Sequence, residues 1–471
     1  MQHTKIVLSL EAEKLKEHTA ELISKHPCDA LRVVYMQEET SNVLSFLKKY
    51  REEQEHTKDL IYKPIIIDVS HKTQGFTTNM SAPISVCYNT EITLVPEGSK
   101  DKGIEIKTKA WDSLFKEGEN AYLNSGTVIL SLIKVEAQKV SAVVKQGQVI
   151  QNDMTVTIPS TQKQPTVFDL AFIDTEPFLQ LELDYIILPG IAKQSHLDLI
   201  KKKLGENKKH TPALLLKVDS LAVCKNIDAL LDDVDGVVLS RRPLSLSVAP
   251  AMVPIICKEI ALKASQKAKM VLVAGETLYS MRNNLTPTRA EISDIANATI
   301  DGIDAVILSK EIAYGKHTKQ ALIVAQKTIQ DAENSTDLTV NWAKEGRKTK
   351  DHLGLITYQA CKAAQHVKAK ALVCLTKEGA TALMIASFRP NIPILALTFE
   401  ERTRRRVSLV RGVIPVLLKK KPSLDELLPI VNKALLSNNL LQCKDLFIFV
   451  TPSLSPISQE TSNLFTIQEV T

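Results

Sequence analysis

No two cysteines form a C-x-x-C pair, and no histidine stands near one at metal-ligand spacing. The seven cysteines, Cys28, Cys87, Cys224, Cys257, Cys361, Cys374 and Cys443, are isolated, and most lie in apolar runs. This excludes a zinc ribbon or disulfide framework and predicts buried free thiols in a reducing compartment. No apolar run reaches membrane-spanning length. The first apolar run, in MQHTKIVLSL, is too short for a signal peptide and charge resumes at once. There are no repeats and no low-complexity segments. Aromatic residues make up only 5% of the chain, and none interleave with the dense basic clusters Arg402–Arg406 and Lys419–Lys421. Without stacking residues these clusters are not a nucleic-acid platform; they read as solvated faces or subunit contacts. The expectation is a cytoplasmic protein with no membrane or nucleic-acid partner.

What is present fits an ordinary globular composition, and 471 residues suggest two or three domains. Eight short β-branched runs alternate with helical patterns: Thr4–Leu10, Ala30–Met36, Pro64–Val69, Asp184–Gly190, Ala213–Asp219, Gly236–Ser240, Met270–Gly275 and Ala305–Ser309. Buried parallel strands read this way, so the pattern predicts an α/β fold with a TIM (β/α)8 barrel, a doubly wound sheet being the alternative. Between the third and fourth runs, residues 72–159 alternate with period two, which predicts an inserted small all-β domain, barrel or sandwich. After the eighth run the chain alternates helix and strand again, with strands at Ala371–Thr376, Pro393–Thr398, Ile414–Leu418 and Leu446–Thr451. The expected division is therefore 1–71 and 160–335 for the barrel, 72–159 for the insertion, and 336–471 for a C-terminal α/β domain. The polar tract around Asn334 to Lys350 reads as a linker or peripheral helix.

The stretch Leu285 to Glu311, LTPTRAEISDIANATIDGIDAVILSKE, is the best-formed local signal. Thr288 and Glu291 have capping-box spacing. Ile292, Ile295, Ala296, Thr299 and Ile300 mark one face, and Gly302 stops the helix before the last barrel strand. Its wording, PTRAE-x-SD-x-ANA-x-x-DG, resembles the same segment of pyruvate kinases. So do LTKEGATA (Leu375–Ala382), FRPNIPILALT (Phe388–Thr398) and RGVIPVL (Arg411–Leu417), and the resemblance spans nearly the whole chain. It implies phosphoryl transfer between phosphoenolpyruvate and ADP, yielding ATP in glycolysis, with Mg2+ and K+ as cofactors and a homotetramer as the assembly.

Carried over residue by residue, the resemblance makes Lys217 the catalytic lysine at the end of the fifth strand. A plainer reading is a lysine ending a buried strand to reach solvent. Arg32 becomes a substrate-binding arginine. Asp219 takes the place of a metal-binding glutamate, one methylene longer, and Asp68 that of a monovalent-cation ligand. Thr376, Lys377, Gly379 and Thr381 match an effector phosphate loop, a geometry that also describes a plain α/β turn.

Other positions depart from the family. The second metal carboxylate falls on Pro243, beside Arg242 where the family has glycine. A pocket threonine falls on Gly275 and a phosphate-facing arginine on Gly75. Two potassium ligands fall on Val34 and Met36, the lid aspartates on Asn124 and Ser125, and a glycine-rich loop on Pro452–Pro456. Two readings result: a pseudoenzyme or regulatory paralogue, partnering an active pyruvate kinase in a hetero-oligomer, or a divergent enzyme of low turnover. If Arg242 fills the metal position, Asp219 is expected to pair with its guanidinium.

Overall fold

The computed structural model describes residues 3–15, 28–35, 40–56, 62–69, 76–108, 111–123, 126–152, 154–158, 183–206, 211–275, 277–335, 352–418, 424–452 and 463–471. The chain opens with β1 (Lys5–Glu11), β2 (Ala30–Tyr35) and β3 (Ile65–Val69). An insertion follows with β4 (Phe76–Asn79), β5 (Ile84–Ser85), β6 (Glu91–Pro96), β7 (Ile104–Lys107), β8 (Asn120–Leu123), β9 (Val128–Glu136), β10 (Lys139–Gln146), β11 (Val149–Ile150) and β12 (Thr155–Thr157). The first fold then resumes with β13 (Tyr185–Leu188), β14 (Ala213–Val218), β15 (Gly236–Ser240), β16 (Met270–Ala274) and β17 (Ala305–Leu308).

The strands β1, β2, β3 and β13 to β17 close into one parallel barrel, in the order β1-β17-β16-β15-β14-β13-β3-β2. Closure removes the open-sheet alternative. All eight fall on the β-branched runs, because strands buried on both faces keep near-continuous apolar sequence. The insertion is a second closed barrel, β10-β6-β7-β4-β12-β8-β9, with β5 and β11 forming a separate ribbon. A barrel, not a sandwich, is thus the form the period-two segment takes.

The C-terminal sheet runs in the order β20 (Val413–Leu417), β19 (Ile394–Thr398), β18 (Ala371–Leu375), β21 (Leu446–Pro452) and β22 (Asn463–Glu469). Four of these match the sequence expectation. The fifth, β22, was not anticipated: it is an antiparallel edge strand on β21, and its Leu464 and Ile467 are exposed, so its pattern carries little burial signal. The helix Thr318–Asn334 ends where the polar tract begins, and residues 336–351 lie outside the described residues.

A row of aspartates closes the N-terminal end of the first barrel. Asp29, Asp184, Asp235 and Asp304 each stand just before a strand and accept the backbone N–H of the preceding one, from Ile6, Ile65, Leu214 and Val271, all at 2.8 Å. Each carboxylate thereby satisfies an amide that the parallel ladder leaves open at its start. The C-terminal domain binds to this row. Arg406 reaches Asp235 at 2.6 Å, Arg389 reaches Asp304 at 3.0 Å, and Arg405 Nε lies 2.9 Å from Asp184 as an ion pair, off the line of a hydrogen bond. Arg402 donates to the Thr211 carbonyl. Arg404 and Arg405 also lie over the Tyr62 ring, 5.3 and 5.7 Å from its centroid. The Arg402–Arg406 cluster is therefore an intramolecular clamp, which corrects its reading as a solvated face or subunit contact. Apolar packing agrees: one core cluster joins Tyr185, Leu215 and Met270 of the barrel to Ile385, Val407 and Ile448 of the C-terminal domain.

All seven cysteines are free. Cys28, Cys361 and Cys374 are buried, Cys224 and Cys257 half-buried, and Cys87 and Cys443 exposed. The last two do not fit the expectation of buried thiols. No described helix is long and apolar enough to cross a membrane.

Candidate active site at the barrel mouth

Parallel strands in a closed barrel deliver their C-terminal ends to one face, and loops there carry function in barrel enzymes. Arg32 on β2, Asp68 on β3 and Lys217 on β14 all project at this end, and they meet. Asp68 is completely buried; it accepts from Arg32 Nε at 2.9 Å on Oδ2, which Arg32 Nη2 also contacts, and from Lys217 Nζ at 2.9 Å on Oδ1. Burial pushes the Asp68 carboxyl up, but the Arg32 guanidinium and Lys217 ammonium outweigh it and hold the group below the usual carboxylate range. Arg32 Nη1 donates further to Ser9 Oγ at 2.9 Å and approaches Ser309 Oγ at 3.5 Å. Two side-chain cations thus share one carboxylate.

Asp219, just beyond β14, stands apart from this triad. Its Oδ2 accepts the Gly190 N–H at 3.2 Å. Burial raises its carboxyl above the usual range, partly offset by Lys217 and by the Gly190 amide. Arg242 is not among its ion-pair or hydrogen-bond partners, so the expected Arg242–Asp219 pair does not form. The reason lies in the strand ends: Asp219 is turned onto the loop after β13, whereas Arg242 sits in the short helix Arg241–Leu244 after β15, with its backbone against Gly275. Gly275 has φ +100°, where a β-carbon would be strained, so glycine is suited to this turn. Arg241 ties the turn together, donating to the Gly275 carbonyl at 3.0 Å and to Asp294 at 2.8 Å.

Asp294 belongs to the helix Arg289–Ile300, whose capping box is complete: Thr288 Oγ1 accepts from the Glu291 N–H at 3.3 Å, and Glu291 accepts from the Thr288 N–H at 2.8 Å. Glu291 also accepts from Ser280 N–H at 2.7 Å and from its hydroxyl at 2.5 Å. The cap therefore also pins the loop after β16.

Two participants were missed in the sequence, Ser9 and Gly190. Ser9 left a faint signal, a lone hydroxyl inside an apolar strand; Gly190 left none. Pro243 lies in the Arg241–Leu244 helix, Val34 is half-buried on β2, and Met36, Gly75, Asn124 and Ser125 lie outside the described residues. Among the described residues no group of three or more His, Cys, Asp or Glu side chains is placed to hold a metal ion.

In the C-terminal domain Thr376 follows β18, and its Oγ1 accepts the Gly379 N–H at 3.0 Å. Gly379, at φ +96°, precedes the helix Ala380–Ser387. A β-carbon there would lie 2.8 Å from Val407 Cγ1. The Lys377 carbonyl accepts from Thr403 Oγ1 at 2.5 Å, and Thr381 is buried. Of the Pro452–Pro456 segment after β21, all but Pro452 lies within residues 453–462, which are outside the described residues.

Comparison with known proteins decides the family. A family model for the pyruvate kinase barrel domain matches residues 1–322, and one for the pyruvate kinase alpha/beta domain matches 355–467. The chain belongs to the pyruvate kinase family. It is 30% identical over 357 residues to a pyruvate kinase of Clostridium acetobutylicum, covering 75% of each chain. It is 31% identical over 311 residues to that of Thermotoga maritima, covering 65% of each. A Cryptosporidium parvum pyruvate kinase in complex with ADP superposes with a TM-score of 0.81 over 100% of this chain and 96% of that one; at 20% identity this likeness concerns the fold. The resemblance read from Leu285–Glu311 thus extends to both family domains.

Proposed function

We propose that this member of the pyruvate kinase family does not carry out phosphoryl transfer between phosphoenolpyruvate and ADP at a normal rate. It acts instead as a regulatory paralogue, a pseudoenzyme of glycolysis in the cytoplasm, assembled as a homotetramer or with an active pyruvate kinase. The observation that carries this reading is the state of Asp68, both of whose oxygens are taken by Arg32 and Lys217. Phosphoryl transfer relies on metal ions and fixed cations to neutralise the transferring group. Here Lys217 and Arg32 neutralise a protein carboxylate.

Mg2+ demands octahedral oxygen donors at about 2.0–2.1 Å. The donors present do not fit it: Asp68 is committed, Asp219 is turned onto Gly190, and Pro243 has no side-chain donor. K+ is served no better, since the Val34 side chain offers no oxygen. No catalytic step is therefore assigned through either ion. Thr376, Lys377, Gly379 and Thr381 are proposed as a residual effector loop, with the Thr376 hydroxyl spent on its own turn. The domain division at residues 71, 159 and 335 belongs to the same reading.

Retention of Arg32 and Lys217 at the mouth favours the second reading, a divergent enzyme of low turnover. A lactate-dehydrogenase-coupled assay on the purified chain, with Mg2+ or Mn2+ and with or without K+, separates the two. Loss of one metal carboxylate removes several kcal/mol of stabilisation, so turnover roughly a thousandfold or more below an active relative is expected. Turnover near that of the relative, or strong stimulation by K+, would sink the proposal.

A further inference from the structure

We infer that Gly190 is the positioning residue that keeps the Asp219 carboxylate from serving a metal ion at the barrel mouth, by giving it a bare α-carbon to lie on. The inference rests on the reading above and supplies its structural cause. A β-carbon built on Gly190 would sit 1.9 Å from Asp219 Oδ1, 2.6 Å from its Cγ and 2.7 Å from Oδ2. The whole carboxylate therefore covers this glycine, with Oδ2 accepting its N–H at 3.2 Å. No side chain other than hydrogen is compatible with that contact.

Backbone conformation does not require glycine here. Gly190 is absent from the positive-φ glycines, which include Gly275, Gly302 and Gly379. An alanine would not be forced into the left-handed region, and the three atoms nearest its β-carbon all belong to Asp219. Asp219 has other staggered rotamers, and its carboxylate is the group that would have to move. As it lies, one face of its carboxylate is covered and one oxygen is spent on an amide. Asp68 cannot compensate, because Arg32 and Lys217 hold both its oxygens. Asp68 and Asp219 are thus retired by different devices: one by side-chain cations, the other by the backbone of Gly190.

The test measures Mn2+ binding to the full chain by calorimetry and by the paramagnetic resonance of free Mn2+. The reference is the R242G/P243D variant, which supplies a second carboxylate but leaves Asp219 on Gly190. Adding Gly190→Ala should tighten binding about 10- to 100-fold, the range by which groups that orient a metal ligand alter affinity. Asp219→Glu in the same background leaves the backbone untouched and carries the carboxylate past Gly190, so it should give a gain in the same direction even if the alanine variant fails to fold. The inference is overturned if R242G/P243D binds Mn2+ as tightly as the folded triple variants, or if none of the folded variants binds. It is also overturned if the natural chain binds Mn2+ tightly and Asp219→Asn abolishes that binding. Failure of the proposed function is a separate event, seen as turnover by the natural chain in the coupled assay.

Discussion

Arg405 and Asp184 face each other across the junction between the C-terminal domain and the foot of β13, with Nε and Oδ1 at 2.9 Å. Asp184 is the more demanding partner: its side chain is 2% exposed, it also accepts from Arg51 and the Ile65 N–H, and burial still holds its carboxyl above the usual range. Arg405→Ala should therefore cost about 3 kcal/mol or more, because it weakens the compensation of a buried charge. Arg406→Ala, whose partner Asp235 is 35% exposed, should cost about 1 kcal/mol or less. Urea unfolding of both variants measures the difference; equal losses would contradict the buried clamp.

The cap at Thr288 gives a second expectation. Thr288→Ala should lower stability by about 1 kcal/mol, and Thr288→Ser should restore most of it. Since Glu291 also binds Ser280, Glu291→Ala should exceed the threonine loss by releasing the loop after β16 as well. Thermal unfolding of the three variants ranks these effects.

His3 makes stability depend on pH. Burial lowers its pKa to about 4; Arg411 and Lys5 act in the same direction and Glu333 opposes them. The unfolded chain takes up this proton near pH 6.5, while the folded chain resists until about pH 4. Stability from this group is therefore full above pH 6.5 and falls as pH drops towards 4, by as much as about 3 kcal/mol. His3→Gln should flatten the profile over that window in denaturant titrations; an unchanged slope would remove His3 as its cause.

Thiol reactivity checks the burial pattern. Ellman's reagent should find all seven thiols in denaturant without prior reduction. In the native protein, the exposed Cys87 and Cys443 should react first. Cys361 and Cys374 should react last, since burial pushes both thiols up to about 12.

The division between sequence and tertiary structure runs along the range of each interaction. The eight barrel strands, the Thr288 cap and the stop at Gly302 are readable in the sequence because each is a local condition: burial on both faces writes a continuous apolar run, and a cap needs residues three apart. A charge carries no such address. Lys217 and Asp68 lie 149 residues apart, and Arg406 and Asp235 lie 171 apart. Barrel closure alone brings the first pair together, and docking of the C-terminal domain the second. The basic cluster at Arg402–Arg406 therefore looked like a solvated face, and Arg242 looked like the partner of Asp219. Gly190 left no mark at all, because its role is to lack atoms where another strand's side chain comes to rest, and only the assembled barrel decides where that is.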